Sequence, residues 1–211
     1  MQPINEQNQV YIFVPGILSR RKRTWALSAV DWVHQHTPHK SAAMVYFSGA
    51  LTRRLGQHRR VRQLLKKIDR YLLKNYRVHL VGHSNGCDII RRALIEMGPV
   101  QLGGVHFIAA ATPKDFDQNG LNDALKTVGF DCLKLYLDSN DTALWWGWLT
   151  RRGLGWAGLG YGSLGRNGPR NVSDHVFQRL TIIDRDGIGH SGWFAGDNFS
   201  ATLKSITNPT P

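Results

Sequence analysis

Val78-His79-Leu80-Val81-Gly82-His83-Ser84-Asn85-Gly86 is the stretch whose reading decides the fold. Val78 to Val81 is a short, largely apolar run of the kind that fills a buried parallel strand. After the turn the period changes. Ile90, Ala93, Leu94 and Met97 fall on one side of a helix that begins near Ser84 and that Gly98-Pro99 cannot continue. A strand passing directly into a helix through Gly-x-Ser-x-Gly holds its serine in strained backbone geometry, and the glycines on either side avoid clashes with neighbouring chain. Ser84 is therefore read as a nucleophile rather than as the N-capping serine of a glycine-rich turn.

The same alternation extends in both directions from this turn. Val10-Tyr11-Ile12-Phe13-Val14 is a buried strand stopped by Pro15-Gly16, and further strands are expected over residues 42–47, 105–110, 133–137 and 180–183. Val61, Leu64, Leu65, Ile68 and Leu72 form one apolar stripe among Arg62, Lys66, Lys67 and Arg70, which is an amphipathic helix packed on a sheet. Another helix covers part of Leu121 to Val128. Parallel strands need crossovers, so the fold class is α/β: a mostly parallel sheet of about six strands with helices on both faces. A chain of 211 residues fits one domain spanning residues 1–211.

The Trp/Gly-rich segment at residues 145–170 breaks the rhythm. Trp145, Trp146 and Trp148 are followed by Trp156 among closely spaced glycines, a composition too glycine-rich for a stable helix and too long for a simple connection. It reads as a functional or mobile loop.

The strand-turn-helix around Ser84 resembles the nucleophile elbow of the α/β-hydrolase superfamily, and within it the small bacterial lipases and serine esterases without a large cap domain. In that family the triad runs serine, acid, histidine along the chain. After the strand at 133–137 comes Asp138-Ser139-Asn140-Asp141, which is similar to the family's acid turn; Asp141 fits the position better than Asp138. After the last strand comes Gly187-Ile188-Gly189-His190-Ser191-Gly192, similar to the histidine loop, which makes His190 the implied general base. His175 is a rival but precedes that strand, the wrong end for a catalytic loop. His83, with Gly82 and Gly86, belongs to the elbow, where the family often has a histidine that supports the turn.

The resemblance also implies an oxyanion hole made by the backbone N–H groups of Asn85 and Ile17. Here the family often has His-Gly in the first-strand motif, whereas this chain has Pro15-Gly16-Ile17. These features imply a serine hydrolase that cleaves carboxylic esters through an acyl-enzyme. The alternatives are an amidase, peptidase or thioesterase on the same triad, or a non-catalytic binding protein on a hydrolase scaffold. The 145–170 segment lies between acid and base in sequence, so it is expected to border the active-site mouth. Trp145, Trp146, Trp148 and Trp156 are weak candidates for a substrate wall, since indoles suit a boundary between lipid and water.

Composition sets the remaining bounds. The 27 Lys and Arg against 15 Asp and Glu give a net charge of +12, which favours anionic partners through long-range fields. The basic residues come in short runs such as Arg20 to Arg23, Arg53-Arg54 and Arg91-Arg92, so a solvated basic surface is the plain reading. Peripheral contact with anionic surfaces is an expectation, whereas nucleic acid is not an expected partner. The expected substrate is a small-molecule or lipid ester. Two cysteines, Cys87 and Cys132, cannot build a disulfide framework or a zinc site by themselves, and no His-Glu-x-x-His motif is present. No cofactor or metal is expected. A cytoplasmic location follows as the default from a start without a signal-peptide pattern and the lack of any run near the roughly 20 apolar residues of a membrane span.

Overall fold

The computed structural model describes residues 8–16, 24–46, 56–145 and 162–208. The first strand, β1 (Gln9–Val14), sends Val10, Ile12 and Val14 into one core and Tyr11 and Phe13 into another. This two-sided burial is the reason its sequence is almost continuously apolar. The other strands are β2 (Lys40–Ala43), β3 (Arg77–His83), β4 (Gln101–Ile108), β5 (Gly129–Leu137) and β6 (Leu180–Asp184). They form one sheet in the order β2-β1-β3-β4-β5-β6, with every neighbouring pair parallel.

On one face lie α2 (Gln57–Leu72), α3 (Asn85–Glu96) and α4 (Leu121–Thr127), whose Val61, Leu64, Ile68, Ile89, Ala93 and Leu125 enter the first core. On the other lie α1 (Trp25–His36) and the last helix. Two short helices, α5 (Leu164–Asn167) and α6 (Asp174–Phe177), connect β5 to β6, and α7 (Gly196–Thr207) brings Leu203 and Ile206 into the second core. The expected α/β sheet with helices on both faces is what the chain forms, and the sheet is parallel throughout among the described residues.

Two strand ends differ from expectation. The strand expected over residues 42–47 runs over Lys40–Ala43, because β1 ends against Pro15, which has no N–H to continue a ladder. The strand expected through residue 110 ends at Ile108, because Ala109 turns to φ 44°. Of the 145–170 segment, residues 146–161 lie outside the described residues. Its end is partly ordered into one turn of helix, α5, despite Gly165. That glycine is required there, since a Cβ would overlap the backbone of Ala109 and Ala110.

Candidate active site

Ser84 occupies the single residue between β3 and α3, at φ 55° and ψ −124°. A side chain rarely accepts this conformation, and it persists because the surroundings fix it. Its N–H donates to the Ile108 carbonyl at 3.0 Å, and its own carbonyl accepts from Cys87 at 3.1 Å and Ala111 at 3.2 Å. The flanking glycines are explained by space. A Cβ on Gly86 would overlap the Val14 carbonyl, and one on Gly82 would lie 2.9 Å from the Cys87 nitrogen. Gly16 approaches from the end of β1, where an added Cβ would lie 2.8 Å from Ser84 Cβ.

His190 and Asp141 meet Ser84 from the ends of two other strands. Ser84 Oγ lies 2.8 Å from His190 Nε2, and His190 Nδ1 lies 2.7 Å from Asp141 Oδ2. A carboxylate only accepts, so Nδ1 carries a proton and donates; in the neutral ring Nε2 is then left to accept from the serine hydroxyl. Asp141 is fully buried and also accepts from the Leu144 N–H at 2.9 Å, while the His190 side chain keeps 21% exposure.

Asp138 has a different task. Fully buried at the end of β5, its carboxylate accepts from Asn140 N–H at 2.8 Å and from Gly187 and Gly189 N–H at 3.3 and 2.5 Å. It therefore ties the histidine loop to β5, leaving Asp141 for the ring. His83 supports the same loop: its Nε2 lies 2.7 Å from the His190 carbonyl, which can only accept, so Nε2–H donates. Burial, followed by the neighbouring His190, lowers the His83 pKa to about 3, which keeps that ring neutral. Its ring sits edge-on to Trp25 and Phe194, themselves stacked at 3.8 Å. The resemblance placed His83 as a support of its own turn, but the hold of His83 and Asp138 on the histidine loop was not visible in sequence, because these contacts span 49 to 107 residues.

The other candidates fall as follows. Asn85 is the first residue of α3, so its N–H has no acceptor within the helix. Trp145 is the last described residue of a helical stretch that starts at residue 142, directly after Asp141, and is 37% exposed. Ile17, Trp146, Trp148 and Trp156 lie outside the described residues. His175 is in α6, ahead of β6, against Arg179 and Phe130, and does not join Ser84. No metal-binding cluster of histidine, cysteine or acidic residues occurs among the described residues.

A parallel sheet whose strand ends carry a serine elbow, an acid turn and a histidine loop in that order is the α/β-hydrolase fold, and this chain has it. Esterase PE8 matches it with a TM-score of 0.54 at 13% identity, over 94% of this chain and 93% of that one. A protein of the α/β-hydrolase superfamily from Xanthomonas campestris pv. campestris matches at 0.52 and 16% identity, over 94% and 95%. TT1662 from Thermus thermophilus matches at 0.55 and 14%, over 93% and 86%. No protein-family model and no curated protein matches the sequence.

Proposed function

We propose that this protein is a serine hydrolase that cleaves carboxylic esters, with Ser84 as nucleophile, His190 as general base and Asp141 as the acid that orients it. The observation that carries the reading is the unbroken hydrogen-bonded relay from Ser84 Oγ through His190 to Asp141. A serine hydroxyl is a poor nucleophile at neutral pH. As Ser84 Oγ attacks the ester carbonyl, His190 Nε2 takes its proton, and Asp141 stabilises the imidazolium without itself becoming protonated. The C–O bond to the alcohol then breaks, His190 returns the proton to the departing oxygen, and an acyl-Ser84 ester remains. Water, deprotonated by His190, repeats the sequence and releases the acid. The oxyanion is held by the N–H of Asn85 at the start of α3; the second donor that the resemblance implies, Ile17, lies outside the described residues.

Esters are preferred over amides and thioesters in this reading because one of the structural neighbours is an esterase. An acyl chain or lipid ester suits the exposed Trp145 beside the acid turn. The test is hydrolysis of p-nitrophenyl esters from acetyl to long acyl chains by the wild type and Ser84→Ala. Turnover in the wild type that falls by roughly 10⁴ or more in the variant is expected. Equal activity in both would sink the assignment of Ser84, and turnover of matched amides alone would replace the ester reading with an amidase.

A further inference from the structure

A second polar cluster lies at the opposite end of the sheet, on the face shared by α1 and α7. His79 precedes Ser84 on β3 by five residues, which in an extended strand is roughly 16 Å. There the sheet and α7 enclose a cavity of about 610 Å³, whose wall includes Tyr11, His79, His106, Cys132, Lys134 and Ile206. Three independent features of this wall point to a ligand.

The first is an uncompensated cation. Lys134 is 5% exposed, and its Nζ donates to the carbonyls of Ser205 at 2.7 Å and Asn208 at 3.4 Å, with no carboxylate partner among the described residues. An ammonium has three protons to donate, and a buried charge without a counter-ion is costly. The second is a pair of imidazoles whose four nitrogens are buried yet make no hydrogen bond among the described residues, those of His79 and His106. His106 is 1% exposed, and its ring centroid is 6.1 Å from that of His79. Buried polar atoms are normally paired.

The third is the backbone beneath them. Gly103 and Gly104 stand consecutively in the central strand β4, where glycine weakens a sheet and marks close approach. A Cβ at Gly103 would overlap the His79 ring, and one at Gly104 would lie 2.9 Å from Cys132 Sγ and 3.0 Å from His106 Nε2. Both rings therefore depend on these glycines for their positions.

We propose that this cavity is a second ligand site, distinct from the Ser84 site, for a small organic anion: a carboxylate or phosphate monoester on an apolar body. Lys134 holds the anionic group, and His79 and His106 hydrogen-bond its oxygens. Arg77 and Arg179 also line the cavity and add positive charge; among the described residues Asp131 is the one acid of the lining, itself paired to Arg77. The volume lies within the range of small-molecule sites. Burial, and then neighbouring charges, hold both imidazoles neutral, so each offers one N–H and one lone pair.

The experiment is calorimetric titration of the whole protein with phenyl phosphate, benzoate and the neutral benzyl alcohol. At least one of the anions is expected to bind saturably at one site per chain, and the alcohol is not; which anion binds separates phosphate from carboxylate. Ser84→Ala should leave the affinity unchanged, whereas Lys134→Met should weaken it by about tenfold or more, as loss of a charge-assisted bond does. Should Lys134→Met not fold, the native protein answers: the bound anion should slow alkylation of Cys132 by N-ethylmaleimide, since Cys87 is fully buried. Binding of neither anion at millimolar concentration, binding untouched by Lys134→Met, unchanged Cys132 alkylation, or binding lost in Ser84→Ala would overturn the proposal. Loss of ester hydrolysis in Ser84→Ala bears only on the triad.

Discussion

Ser84 holds backbone angles of φ 55° and ψ −124°, and this strain, of order 1–3 kcal/mol for such a residue, is sustained by the hydrogen bonds on either side of it. Replacing the side chain tests the cost directly. Ser84→Gly and Ser84→Ala should both be inactive toward esters, but the glycine variant should be more stable by roughly 1 kcal/mol, because only glycine relaxes at positive φ. Urea unfolding of the two variants measures the difference, and equal midpoints would mean that the turn is not strained. At the other end of the relay, Asp141→Asn keeps the shape of the acid but removes its charge and favours the wrong imidazole tautomer. A fall in kcat of about 10⁴ is expected, measured on the best p-nitrophenyl ester. The sequence made Ser84 legible because its signature is local: a strand, a turn and a helix within one short stretch. It ranked Asp141 above Asp138 by resemblance alone, and what separates them physically is which carboxylate faces His190 and which faces the loop amides.

Among the elements, the loop after β6 depends on β5 for its position. Asp138 receives the Gly187 and Gly189 amides, so Asp138→Asn would place an amide N–H₂ or a single oxygen against two donors. Ester turnover is expected to fall by roughly 10²-fold through misplacement of His190. Amide exchange at Gly187 and Gly189 should speed up in the same variant, a change that loss of a reacting group would not cause; unchanged exchange would remove the positioning role. The elements themselves were unevenly legible. The α2 stripe stood out because Val61, Leu64 and Ile68 alternate with charged residues. By contrast, α1 buries Ala26, Ala29, Trp32 and Val33, a pattern carried largely by alanine, and α7 begins at Gly196 with no side-chain cap, so neither announced itself. The shift of β2 to Lys40–Ala43 depended on where its neighbour ended, which its own residues do not encode.

For the whole molecule, three buried imidazoles set a pH limit. Burial lowers the pKa of His79 and His83 to about 3 and that of His106 well below its ordinary value. Between those values and the unfolded value of about 6.5 the unfolded chain binds more protons, so stability is full above this window and is lost as pH falls through it. Each ring contributes at most about 1.4 kcal/mol per pH unit. Asp88 acts in the same direction at lower pH. Burial alone would raise its carboxyl, but Arg91 and Arg92 hold it below the usual range, so its contribution is lost only on further acidification. Urea midpoints should therefore fall steadily from pH 7 to pH 5, with a shallower slope for His79→Gln; a flat profile would show that these rings are not neutral when folded. The strand order has a final consequence, for the order of synthesis. Once β2 has flanked β1, each later strand joins the same growing edge, so a chain emerging from the ribosome can extend its sheet without reopening it. Ser84 and Asp141 are made well before the histidine loop, so the proposed relay cannot close until synthesis has passed His190.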